Sequence, residues 1–229
     1  MAFNYRVISF HRKPAQESPS QFLANMAQIE SVLSQKQWSA RHPCLAWHAF
    51  TPITNSDEPQ PPSADWINTY DFKNLNEAKA WAHHLTTQSS ACNHHLWFLG
   101  ISQRFTVKKP APLAGTAPLV TVIRFAKKKP ELSRSQFYDY WLKTHGPIAS
   151  QSPFLAKYEQ LHLTQPIFPT DTGPWEGFTL SHFNSLTDLS QHAQHPAGRA
   201  AAADTQHFLH AELQPSIIVQ KQNQLFFNY

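Results

Sequence analysis

The chain has 229 residues, of which 41% are hydrophobic, 13% aromatic and 15% charged, so it is long enough for one large core or two small ones and too apolar to be disordered. The net charge is +4, and its basic runs, Lys108-Lys109 and Lys127-Lys128-Lys129, read as solvated turn lysines rather than a nucleic-acid surface. No apolar run reaches the roughly 20 residues that span a bilayer, and no leader pattern opens the chain. Cys44 and Cys92 show neither a disulfide framework nor a CxxC spacing. The expectation is a cytoplasmic protein with no membrane and no nucleic-acid partner.

Histidine is abundant, at 14 residues, and several are paired: His83-His84, His94-His95, His192 with His195, His207 with His210. Pairs at i, i+3 could share a helix face as metal ligands do. No acidic or cysteine partner stands at a motif spacing, so no metal site is expected.

In chain order, a β-rich run with basic residues and Pro, Tyr5 to Pro14, precedes Ser18-Pro-Ser-Gln-Phe22. The same series recurs as Thr121 to Pro130, then Ser133-Arg-Ser-Gln-Phe137. Pro43 to Phe50 parallels Pro153 to Leu163, and Phe72-Lys-Asn-Leu-Asn-Glu77 parallels Phe183-Asn-Ser-Leu-Thr-Asp188, with Pro-rich loops at 51–64 and 164–174 between them. Each half reads strand, helix, strand, loop, strand, helix, strand, closing with strands near 96–107 and 216–220. The predicted fold is α+β: two tandem ferredoxin-like βαββαβ halves, a diverged one at 1–107 and a second at 119–229, joined by a linker at 108–118. A two-layer unit this aromatic must bury its free sheet face, so the two sheets are expected to face each other and form an intrachain barrel around a cavity. The apolar tail Leu225-Phe-Phe-Asn-Tyr229 must also dock.

The stretch from Ser133 to Pro147 carries a capping box, Ser133 with Gln136, and ends with Gly146 as a left-handed stop before Pro147. Phe137, Tyr140, Trp141, Thr144 and His145 fall on one face, which therefore closes with an imidazole. On the next strand, alternation separates Tyr158, Gln160 and His162 from Leu155, Lys157, Glu159, Leu161 and Leu163. The first set is assigned to the cavity and the second to the helix-covered side. Phe178, Leu180 and His182 share a face whose side alternation leaves open. This chemistry is general acid–base: His162, with His145 as a second base, could move a proton, while Tyr158 and Gln160 orient a substrate and steady an oxyanion. Tyr140, Trp141 and His182 complete the candidate binding residues. No phosphate loop, nucleotide fingerprint, nucleophile elbow or carboxylate pair is present.

The second half resembles the EthD-like family of dimeric α+β barrel proteins. The resemblance covers about residues 119 to 220 and rests on Pro130, Ser133 to Phe137, Tyr140-Trp141 with His145-x-Pro147, Tyr158-x-Gln160-x-His162, and His195-Pro-Ala-Gly-Arg199 with Ala203-Asp204 and Phe208. An acidic residue common on the family's third strand is missing, since Leu180 and Ser181 precede His182, and the first half lacks the Tyr-Trp…His face, with Arg41-His42-Pro43 a faint echo. The resemblance implies a barrel that binds small aromatic or polyketide-like molecules, and a cofactor-free lyase, dehydratase or cyclase in some relatives. A non-catalytic accessory protein of a degradation or biosynthetic pathway is the alternative, and haem use, known among related barrels, is a third with no motif to support it. A homodimer remains open.

Overall fold

The computed structural model describes residues 4–18, 20–22, 24–26, 46–52, 64–88, 95–105, 120–164, 174–211 and 216–226. The linker at 108–118, most of both Pro-rich loops, and Arg41 to Pro43 lie outside the described residues. The first half supplies strands β1 (Asn4–His11), β2 (Ala46–Pro52), β3 (Trp66–Phe72) and β4 (His95–Phe105), with helix α1 (Leu75–Gln88) and helical residues 20–22 and 24–26. The second half supplies β5 (Val120–Ala126), α2 (Arg134–Tyr140), a π-helical segment (Trp141–His145), α3 (Gly146–Ala149), β6 (Lys157–Leu163), β7 (Gly177–Phe183), α4 (Leu186–Gln194), α5 (Pro196–Asp204) and β8 (Ser216–Phe226).

The strands form one closed antiparallel barrel in the order β1-β3-β2-β8-β5-β7-β6-β4. The sheets of the two halves are joined edge to edge, β2 to β8 and β4 to β6, so every strand edge is paired. The expected face-to-face arrangement is thereby sharpened to a continuous hydrogen-bonded wall. The apolar C-terminal residues up to Phe226 dock by prolonging β8, where Phe226 lies opposite Ala46 and Leu225 opposite Trp47.

Strands in such a wall have one face towards the interior and one towards the helices, so apolar residues run nearly without alternation. All seven residues of β3 are buried. One cluster draws a residue from every strand: Phe10, Phe50, Ile67, Phe98, Phe125, Leu161, Phe178 and Val219. This is the barrel interior. Phe178 lies 4.7 Å from Phe125 and 4.8 Å from Phe98, both edge to face, a geometry worth about 0.5–1.5 kcal/mol per pair beyond burial. Phe10, Phe98, Phe125 and Phe178 are at most 4% exposed, so at their level rings from four strands pack the described interior. The second layer packs outside, with Phe22, Met26 and Trp81 on the first half. On the second half, two separate clusters centre on Tyr158 and Ala201 and on Trp141 and Phe208.

Candidate functional site between sheet and helices

The helix after β5 starts as its sequence dictates. Ser133 accepts from the Gln136 amide at 3.2 Å, and Gln136 Oε1 takes the Ser133 N–H at 2.8 Å. It does not stop at Gly146. That residue is right-handed helical, with φ −56 and ψ −49, and its N–H donates to the carbonyl of Trp141, five residues back. Pro147 begins a further turn instead of ending the helix. A proline ring collides with the carbonyl four residues before it, and the widened π turn just ahead accommodates Pro147. Glycine is needed at 146 for closeness, not for handedness: a Cβ would stand 2.1 Å from the Phe105 ring. The π segment also rotates the predicted face, so Phe137, Trp141 and His145 are buried while Thr144 is exposed.

Tyr158, Gln160 and His162 point at this helix and not into the barrel, which reverses the predicted assignment. His162 lies 4.7 Å from Trp141 with 5° between the ring planes, and 4.8 Å from Tyr138. Gln160 Nε2 donates to the Trp141 carbonyl at 2.8 Å, so its Oε1 is the acceptor for His162 Nε2–H at 2.8 Å. Tyr158 packs against Phe105 at 5.4 Å. Burial pushes the Tyr158 phenol up to about 12 and His162 down to about 4, so both are neutral at pH 7. Gly177 allows this packing, because a Cβ there would meet the Leu161 carbonyl at 2.3 Å and the Trp141 ring at 2.7 Å.

His145 joins the same layer from the helix. Its Nδ1 stands 2.8 Å from Asp204 Oδ2, and Tyr140 donates to Asp204 Oδ1 at 2.8 Å. A carboxylate only accepts, so Nδ1 carries the proton and Nε2 keeps its lone pair. Burial lowers the His145 pKa against the raising effect of Asp204. The result is a neutral imidazole with a fixed tautomer, the arrangement of an oriented base. Asp204, on α5, was legible only as part of the Ala-Asp-x-x-x-Phe segment.

His182 parts company with the others and faces the barrel interior. Its Nε2 is 3.2 Å from Glu159 Oε2, so that nitrogen carries the proton, and its Nδ1 accepts from Thr121 at 2.8 Å. Glu159 also receives Arg6 Nη1 at 3.1 Å, and Arg6 grips Asp71 through Nε at 2.6 Å and Nη2 at 2.9 Å. Lys157 adds a contact of 3.0 Å to Glu159. Burial alone would raise the Glu159 pKa, but Arg6, Lys157 and His182 hold it well below the usual carboxylate range. Burial lowers His182 to about 4. This network plugs the interior beyond the Phe rings and was not foreseen: Glu159 had been given to the helix side.

Among the described residues, no group of three His, Cys, Asp or Glu could hold a metal ion. Both nitrogens of His182 are hydrogen-bonded, so this interior imidazole has no free lone pair for an iron ligand. No described helix is long and apolar enough to cross a membrane.

Known structures share this architecture at low identity. An anthrone oxidase-like protein superposes with a TM-score of 0.65 at 12% identity, covering 99% of this chain and 94% of its own. A monooxygenase-like protein from Lactobacillus acidophilus gives 0.59 at 8%, covering 99% and 97%. A chlorite dismutase variant from Candidatus Nitrospira defluvii gives 0.53 at 12%, covering 96% and 92%. These likenesses establish the barrel fold alone. No curated protein matches the sequence. The sequence from Lys129 to Glu212 matches the EthD domain, and its ends enclose α2, the π segment, β6, β7, α4 and α5, the elements that build the layer just described. The second half of this chain therefore carries an EthD domain, in a barrel that the first half closes.

Proposed function

We propose that the layer between β6 and the helices of the second half binds a small aromatic or polyketide-like molecule, and that His145 moves a proton on it without a cofactor, in a lyase-, dehydratase- or cyclase-type step. One observation carries the reading: Tyr140, Trp141, His145, Tyr158, Gln160 and His162 come from two separate segments and converge in a single layer, with Asp204 fixing the tautomer of His145. In this reading Nε2 of His145 takes the proton and the Tyr158 hydroxyl orients the substrate, while Gln160, its amide engaged by Trp141 and His162, holds Tyr158 and the helix in place. His162 is a positioning residue, since its Nε2–H is committed to Gln160 and its ring to Trp141. We also infer that the two halves are tandem ferredoxin-like units. In support, the orders β4-β1-β3-β2 and β8-β5-β7-β6 correspond strand for strand, and Ser18 caps its helix as Ser133 does.

The test is hydrogen–deuterium exchange at the acidic carbon of aromatic ketones and polyketide-like lactones, followed by NMR, with binding read from tryptophan fluorescence. Exchange in the wild type, lost in His145→Gln while binding persists, is the expected result. Equal exchange rates in the two would remove His145 from the chemistry. Binding without exchange in the wild type would leave the second reading, an accessory ligand-binding protein.

A further inference from the structure

We propose that Arg124 is the anion anchor of a recess in this layer, and that the recess takes a small aromatic or polyketide-like acid, held by its carboxylate. The proposal rests on the layer being a small-molecule site and adds the charge of what enters it.

Arg124 is in the middle of β5, a strand with neighbours on both sides, yet its side chain is exposed. The residues two before and two after it on the same face, Val122 and Ala126, are 2% and 3% exposed. They belong to different clusters, Val122 under Ala149 and Ala201, Ala126 under Trp141 and Phe208. The helical cover thus parts over Arg124. Its cross-strand neighbours Thr179 and Ser216 are also partly open, and with Gln160 they make a polar row across β6, β7, β5 and β8.

The guanidinium reaches solvent between two buried neighbours of its own strand face, beside the partly open Thr179 and Ser216. Among the described residues it makes no ion pair or hydrogen bond. Asp204, the carboxylate of this layer, is already committed to Tyr140 and His145. Arg124 is near enough that, after burial, its charge is felt by His145, Tyr158 and His192. His192 has a buried Nδ1 without a partner. An unpaired planar fork of donors in a partly dry recess matches a carboxylate, which it can grip through two parallel hydrogen bonds. Tyr158, whose phenol feels the charge of Arg124, packs on Phe105 at 5.4 Å, and this pair supplies aromatic surface on the same side of the sheet.

Calorimetric titration of the full chain with 2-naphthoate and its neutral isostere 2-naphthamide tests this. Naphthoate is expected to bind at least about tenfold more tightly. Arg124→Gln should bring naphthoate down to the level of the amide, and Arg124→Lys, which keeps the charge but not the fork, should fall between. Thermal melts of each variant control for folding. Equal affinity of the two probes for the wild type, or a naphthoate preference that survives in Arg124→Gln, overturns the anchor. If both bind equally and Trp141→Ala weakens them, the layer stands as a site and only its charge preference falls. If neither binds, or binding ignores Trp141→Ala, the reading of the layer falls with it.

Discussion

Glu159→Gln is the sharpest test of the interior network. Every described neighbour of the Glu159 carboxylate is a donor: Arg6, His182 and Lys157. A Gln oxygen could satisfy one of them without charge, and its NH2 would face donors only, an orphan in a site where Glu159 is 1% exposed. Breaking one partner of a buried ion pair costs about 3–5 kcal/mol. For a chain of 229 residues, the unfolding entropy is about 0.5 kcal/mol per kelvin, so the melting temperature should fall by about 6–10 °C. The pH dependence has a definite sign. The folded pKa of Glu159 lies well below 4.5, so its contribution is complete above that value and disappears as pH falls through the lower folded pKa. The gap between wild type and variant should therefore be full at pH 7 and narrow in strong acid. Circular-dichroism melts across that range measure it. A shift under about 2 °C at pH 7, set against the 3–5 kcal/mol expected, or a gap that stays constant into acid, would refute the account of the network.

The remaining predictions concern the second layer. Ser133→Ala removes the cap on α2 and should cost about 1 kcal/mol, seen as a small drop in melting temperature without loss of ligand binding. Gly177→Ala drives a methyl against the Leu161 carbonyl and Trp141, whose backbone member cannot swing aside. It should cost about 1–3 kcal/mol and alter the near-ultraviolet signal of Trp141, and a silent substitution would mean the contact is looser than described. His162 titrates at about 4 when folded and at 6.5 in the unfolded chain. Between those values the unfolded state binds more protons, so stability is lost as pH falls, by about 3 kcal/mol in total for this residue. His162→Phe keeps a ring beside Trp141 and should make the decline from pH 7 to pH 4.5 shallower by that order in urea titrations, whereas an unchanged slope would show that His162 is not buried neutral.

The sequence made the barrel readable because local signals and the fold agreed: Ser133 and Gln136 close their capping box, and the β-rich runs of both halves take their places in one closed barrel. It misled at Gly146, where a residue chosen for close approach to Phe105 looks the same as one chosen for a left-handed stop. It misled again on β6. Six of its seven residues are buried, so alternation offers no contrast between an interior and a helix-covered face. What decides the matter is Arg6, 153 positions away, which draws Glu159 inward and leaves Tyr158, Gln160 and His162 to the helix. Arg124 was invisible for a related reason, because an exposed residue in a central strand depends on a gap between helices that no local pattern encodes.

The two sites divide between the halves in a way that gives each half a separate role. Arg6 lies opposite Asp71 on β1 and β3, and Thr121 lies opposite His182 on β5 and β7, the corresponding positions of the second half. The first half fills its pair with an ion pair, the second with a neutral hydroxyl and imidazole, and Glu159 bridges them. Glu159 gains the Arg6 hydrogen bonds only when the barrel closes, which ties the first half to stability and to the union of the sheets. The outer layer differs in the same direction. Met26 stands four residues after Phe22 where Trp141 stands four after Phe137, so among the described residues the first half offers a thioether at the place where the second offers the ring that stacks on His162. Substitutions at Arg6 or Asp71 should thus act through folding, and those at His145 or Arg124 through the ligand.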